Sequence, residues 1–201
     1  MALGDPYATV GDLAARLDID EPRPDLVDAA SRAVEAFTYR QFNKTTSATA
    51  RRFRAVDWER LPVDDFHTVT GLAISVDGTA WSVTDVDPRP WDGIYNGQTG
   101  WPFFDLFAKN RTWPWERRAT ITVTAQWGWA SVPQAIRQTT LDVAAAMYGS
   151  GGASYPVSSM SIDGGGGSYS ESYQLPSSGS ADVPPEMAKA VPYRRRRFGV
   201  A

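Results

Sequence analysis

Residues 119–134 read Ala-Thr-Ile-Thr-Val-Thr-Ala-Gln-Trp-Gly-Trp-Ala-Ser-Val-Pro-Gln, and the hydrophobic period changes inside that stretch. Ala119, Ile121, Val123 and Ala125 point one way and the threonines the other, so residues 118–126 are expected to form a strand with one buried and one wet face. Ser131 then offers a capping hydroxyl, Gln134 stands where a side chain reaches back to the cap amide, and Pro133 falls in a first turn that needs no intrahelical donor. Val132, Ile136, Thr139, Val143, Ala146 and Met147 follow on one helical face, and Gly149 begins the end of that helix. Sheet gives way to helix here, and the expected class is α+β.

Upstream the order is reversed, helix before sheet. Thr9 is a capping residue with Asp12 at the capping-box position, and Val10, Leu13, Ala14 and Leu17 share a face, which predicts a short helix over 9–18. After the breaker Glu21-Pro22-Arg23-Pro24, Leu26, Ala30, Ala33, Val34 and Phe37 form the stripe of a longer helix over 25–43. From Thr49 the period falls to two, and Val, Thr, Trp and Phe replace Ala. Residues 72–76 and 79–83 flank Asp77-Gly78, a pair suited to the positive φ angles of a type I′ hairpin turn. Arg51, Arg52 and Arg54 fit a strand with its polar face exposed or against another subunit. The β insertion is expected over 49–127, inside a body of 1–149 whose third helix spans 131–148.

Composition removes whole groups of chemistries. The 201 residues are 42% hydrophobic and 21% charged, with no apolar run near the ~20 residues that span a bilayer, so no membrane partner is expected. With Cys 0 and His 1, thiolate metal sites, cysteine nucleophiles and multi-histidine sites are out of reach. The N-terminal residues show no basic-then-apolar leader, which points to a product kept in the cytoplasm. A net charge of −3 argues against general nucleic-acid coating. Asp64-Asp65 beside His67 is the one acid–base cluster; its plainer reading is a polar loop. No enzyme motif, metal site or cofactor site is expected.

Three segments stand apart. All 8 tryptophans lie between Trp58 and Trp129, and Asp85–Trp115 lacks a clean period, so an ordered irregular insertion is expected to pack on itself or on a neighbouring chain. Its tryptophans suit protein interfaces, with stacking on sugars as the competing use. Residues 150–182 hold 7 Gly and 11 Ser in 33 positions, the composition of a flexible tether. Residues 182–190 have room for one or two helical turns, and Tyr193 and Phe198 then bracket four arginines. That cluster suits a carboxylate-lined groove on a protein or, without specificity, phosphates.

Taken in order, the short helix, the longer helix ending Phe37-Thr38-Tyr39-Arg40-Gln41-Phe42, the sheet insertion, the stretch from Ala125 through Ile136 running on to Ala144-Ala145-Ala146-Met147-Tyr148, and Pro192-Tyr193-Arg194-Arg195-Arg196-Arg197 resemble the head-to-tail connector (adaptor) family of long-tailed bacteriophages. These parts cover about half of the chain. The resemblance implies a small helical bundle of three main helices and a short C-terminal one, with an antiparallel β insertion and a Gly/Ser-rich C-terminal arm. It implies a non-enzymatic virion protein of the head–tail neck, assembled in the host bacterial cytoplasm as a homo-oligomeric ring of twelve copies that passes double-stranded DNA. Its partners would be the portal protein and the next neck or tail protein, a stopper or tail terminator. By the same resemblance, residues 183–201 are the docking segment, with Tyr193, Arg194, Arg195, Arg196, Arg197 and Phe198 as the portal-docking arm.

Two further expectations follow. Trp91, Trp101, Trp113 and Trp115 are candidates for a subunit or neck interface. Duplex DNA carries one negative charge per about 1.7 Å and would adhere to a basic wall, so Asp18, Asp20, Asp25, Asp28 and Glu35 are candidates for the channel lining. The competing readings are another phage neck or tail-completion protein and a carbohydrate-binding module using Trp91, Trp101 or Trp113.

Overall fold

The computed structural model describes residues 4–20, 23–115, 119–149, 160–162, 169–171 and 183–195. Its contacts divide the chain into a helical unit, residues 1–40 with 133–201, and a sheet unit, residues 41–132. The structure is mixed helix and antiparallel sheet. No helix among the described residues is long and apolar enough to cross a membrane.

The helical unit is built from α1 (Val10–Leu17), α2 (Pro24–Thr38), α3 (Gln134–Gly149) and a 3-10 helix, Pro185–Tyr193. Helix α1 starts on the expected capping box: the Thr9 hydroxyl accepts the Asp12 N–H at 3.1 Å, and the Asp12 carboxylate accepts the Thr9 N–H at 3.0 Å. Helix α2 packs against α3, which also carries α1 and the 3-10 helix. Leu13, Val27, Ala30 and Val34 meet this core from α1 and α2, Ile136, Val143 and Met147 from α3, and Met187 and Ala190 from the 3-10 helix, all buried. Ser31 is buried among them because its hydroxyl donates to the Val27 carbonyl at 2.7 Å and accepts the Tyr7 N–H at 3.0 Å.

Two helix boundaries differ from the sequence expectation. Helix α2 stops at Thr38, short of residue 43, because Tyr39 adopts a left-handed backbone (φ 54°) and its N–H closes on the Glu35 carbonyl at 2.8 Å. Glycine usually marks such a stop, and a tyrosine there is uncommon. Helix α3 begins at Gln134, and the Pro133 carbonyl accepts the N–H groups of Ile136 and Arg137 at 3.0 Å each. Pro133 pushes the residue before it toward extended backbone, so Ser131 stands too early to cap.

The sheet unit holds β1 (Thr49–Phe53), β2 (Arg60–Val76), β3 (Thr79–Trp81), β4 (Val86–Arg89), β5 (Phe103–Ala108) and β6 (Ile121–Trp127), in the order β1-β6-β2-β5-β4 with β3 also on β2. Every pairing is antiparallel. The β2–β3 turn is the expected one, with φ 50° at Asp77 and 83° at Gly78. In β6 the residues Ile121, Val123, Ala125 and Trp127 are buried, alternating with partly exposed Thr122, Thr124 and Gln126. The core joins these to Leu61, Val63, Phe66, Ile74 and Leu106.

Two expectations give way here. The Asp64–His67 stretch is no loop: it lies inside β2, a 17-residue strand whose register shifts at Pro62/Phe66, Phe66/Thr68 and Thr68/Ala73 let its first half pair with β5 and its second half with β6 and β3. Likewise 85–115 contains β4 and β5; β5 reads Phe-Phe-Asp-Leu-Phe-Ala and buries only its two central residues, so it carries no period of two. In 150–182, Met160–Ile162 (β7) and Tyr169–Glu171 (β8) pair antiparallel, and the rest of the expected tether lies outside the described residues.

Gly128 closes β6. A Cβ at this position, where φ is 95°, would sit 1.8 Å from the Asn43 carbonyl oxygen, so the close approach of the two backbones excludes any side chain.

Candidate docking segment and its seat

The residues expected to dock begin on a seat provided by the end of α2. Four carbonyls at a helix C-terminus lack intrahelical partners and must find others. The Thr38 carbonyl finds the backbone N–H of Arg195 at 2.8 Å, while the Thr38 hydroxyl donates to the Val34 carbonyl at 2.7 Å. The left-handed turn at Tyr39 then sends the chain to Arg40, which is buried and donates from Nε to the Tyr193 carbonyl at 2.8 Å. Arg194 lays its guanidinium over Phe37, 5.1 Å from the ring centroid, and over Tyr39 at 5.8 Å. A cation also complements the negative end of the α2 dipole.

The 3-10 helix before this point is fixed as firmly. Met187 and Ala190 are buried, and Lys189 pairs with Asp142 at 2.8 Å, a carboxylate that also takes Arg16 from α1. Burial pushes the Tyr193 phenol above its ordinary pKa. The first part of the expected docking segment, residues 183–195, thus packs within the helical unit. Arg196, Arg197 and Phe198 lie outside the described residues.

The expected interface tryptophans separate into two classes. Trp113 is 1% exposed and stacked on Trp81 at 4.7 Å, and Trp101 is 5% exposed against Trp129 and Tyr95. Neither ring keeps surface for a partner subunit or a sugar. Trp91 and Trp115 are exposed. Trp91 lines a cleft of about 370 Å³ with Arg89, Ile94 and Tyr95, its indole N–H held by Asp87 at 2.9 Å and one ring face covered by the Arg89 guanidinium at 3.7 Å.

The five acidic residues expected along a channel also differ. Glu35 pairs with Arg32 at 2.9 Å and accepts the Tyr7 hydroxyl, and Asp25 pairs with Arg23 at 2.9 Å, which holds its carboxyl below the usual range. Asp18, Asp20 and Asp28 are exposed around the α1–α2 connection.

The two aspartates of the acid–base cluster turn to different partners. Asp64 goes to Arg51 at 2.7 Å, whereas buried Asp65 accepts the Trp129 indole N–H at 3.0 Å and offers its carbonyl to the Gly128 N–H at 2.6 Å. Adjacent strand residues face opposite ways, which separates the two carboxylates.

No known protein family matches this chain, and no curated protein matches it. Solved structures do. A chain in the neck of the empty GTA particle, computed with C6 symmetry, matches with a TM-score of 0.55 at 15% identity, covering 100% of this chain and 96% of that one. A second, in the neck of the native GTA particle computed with C12 symmetry, matches with a TM-score of 0.53 at 16% identity and the same coverage. The shared property is the fold. It extends over both units and reaches nearly the full length of each neck chain, so the two matches do not rest on a common sheet or helix pair.

The seat residues Phe37, Thr38, Tyr39 and Arg40 had no docking signal of their own in the sequence. They were visible only as part of the Phe37–Phe42 motif.

Proposed function

We propose that this chain is a structural neck protein of a phage-like particle, an adaptor that forms a ring below the portal and lets genomic DNA pass through its centre. The carrying observation is the full-length fold likeness to chains from two cyclically symmetric neck structures. In this reading the role is structural, not catalytic, the protein resides in the virion, and its partners are the portal above, a stopper or tail terminator below, and other copies of itself.

The docking element is then the segment that leaves the seat. Tyr193–Arg195 hold the exit point against α2, and Arg196, Arg197 and Phe198 supply charge and an aromatic anchor beyond it. Such a segment makes a weak joint alone. Repeated around a ring it becomes firm, because each further contact is made at high effective concentration.

The test is binding of the purified portal protein to the full chain and to a chain ending at Arg195. Loss of at least about ten-fold in affinity is expected, and Arg196→Ala with Arg197→Ala should reproduce most of it. Unchanged binding to the portal would overturn the docking role. A loss seen only when DNA is present would assign the arginines to phosphate contacts.

A further inference from the structure

From Ala50 to Trp58 exposure alternates. Ala50, Arg52, Arg54, Val56 and Trp58 are exposed, while Arg51, Phe53, Ala55 and Asp57 are half-buried. The half-buried row is fixed: Arg51 pairs with Asp64 and lies 4.7 Å over Trp127, Phe53 meets Trp127 at 5.6 Å, and Asp57 Oδ1 accepts the N–H groups of Glu59 and Arg60 at 2.8 and 2.7 Å. The exposed row is thereby held in place without being covered. Its far end is tied by backbone to the segment that carries Trp115. The Trp58 carbonyl accepts the Trp113 N–H at 2.9 Å, and Trp115 donates its N–H to the Trp113 carbonyl at 2.9 Å; Trp58 and Trp115 are both exposed, at 54% and 48%.

Charge singles out the same row. Arg51, Arg60, Arg89 and Arg111 of the sheet unit are each paired with an aspartate. Arg52 and Arg54 have no such partner among the described residues. The row also begins on β1, an edge strand with β6 on one side only, whereas the opposite edge, β4, is blunted by Pro88. Arginine and tryptophan, preorganised and unpaired, are the side chains that dominate protein–protein interfaces.

The complementary surface is on the same chain. Asp18, Asp20 and Asp28 are exposed around the α1–α2 connection and have no cation among the described residues, while Asp25 already holds Arg23. We propose that the Arg52–Arg54–Val56–Trp58 row, with Trp115, docks head to tail on the exposed carboxylates of Asp18, Asp20 and Asp28 of a second copy. The inference rests on the ring-forming reading above and names its lateral joint. A contact between two different patches closes into a ring when the rotation permits, and matched charge fixes its register. The three carboxylates then belong to the joint between subunits and not to the channel wall.

The experiment follows association of the full chain by sedimentation velocity over a concentration series. One variant carries Arg52→Glu and Arg54→Glu, the other Asp18→Lys, Asp20→Lys and Asp28→Lys. Each alone should need at least about ten-fold more protein to associate than the wild type. A 1:1 mixture, in which alternating copies are again complementary at every joint, should recover to within about two-fold. Association of either variant like the wild type, or a mixture that fails to recover, overturns the proposal. If a reversal unfolds the chain, the absence of cysteine allows a second measurement: Arg54→Cys and Asp20→Cys proteins, mixed under oxidation, should cross-link to each other about ten-fold more than either does to itself, and equal cross-linking overturns it. An R52E/R54E protein that associates normally but no longer retains a duplex DNA fragment would make the row a nucleic-acid surface instead. A wild-type chain that stays monomeric at every concentration removes the ring reading itself, whereas a wild-type ring indifferent to both reversals removes only this joint.

Discussion

The backbone N–H of Arg195 donates to the carbonyl oxygen of Thr38 at 2.8 Å, so the end of the 3-10 segment caps the end of α2. The two stretches are remote in sequence and hold each other through main-chain groups, which makes the segment before Arg195 part of the fold. Truncation should show this. A chain ending at Arg195 is expected to unfold at the same temperature as the full chain, whereas one ending at residue 182 loses the buried Met187 and Ala190 and should unfold far lower. Met187→Ala alone is expected to cost about 2–4 kcal/mol, measured by denaturant titration. An unchanged midpoint for the shorter chain would mean that the seat contributes nothing.

Gly128→Ala tests the closure of the sheet unit. The new Cβ meets a backbone oxygen, which cannot rotate away, and the residue must hold a positive φ. The expected loss is about 3 kcal/mol or more, read from urea unfolding of the full chain. Substitution at Gly78 meets no atom within 4 Å and should cost only the turn conformation, about 1 kcal/mol.

Asp12 makes a prediction in pH. The Thr9 hydroxyl first, then the Arg137 side chain and the Thr9 amide, hold its carboxyl down to about 2 from 3.8. A carboxyl depressed in the folded state adds stability above its unfolded pKa and loses it as pH falls through the folded one. The difference in melting temperature between wild type and Asp12→Asn should therefore be constant from pH 7 down to about 4 and shrink between about 4 and 2. A difference that persists at pH 2 would show that the charge is irrelevant to the cap.

Local rules carried much of the fold into view. Thr9 with Asp12, Asp77 with Gly78, and the alternation through Val123 each involve residues close in sequence, and each appears as expected. Where a local rule failed, a specific residue explains it: Tyr39 stops α2 without a glycine, and Pro133 moves the start of α3 by constraining its predecessor. Strands β4 and β5 were hidden because β5 buries two adjacent residues and so shows no alternation. Composition located the aromatic segment but could not say that Trp101 and Trp113 turn inward while Trp58 and Trp115 stay exposed. The seat was the least legible part: Arg195 with Thr38 is a main-chain bond that any residue but proline could make, and the Arg40 guanidinium meets a main-chain carbonyl of Tyr193 153 residues away, which no local pattern announces.

Whether this chain forms a ring in the neck of a phage-like particle is decided by imaging purified particles with the chain labelled at its N-terminus. Label is expected only at the junction of head and tail, in a cyclically symmetric ring of twelve copies. Particles that contain none of the chain, or that carry it scattered over the head or tail shaft, would overturn the ring reading.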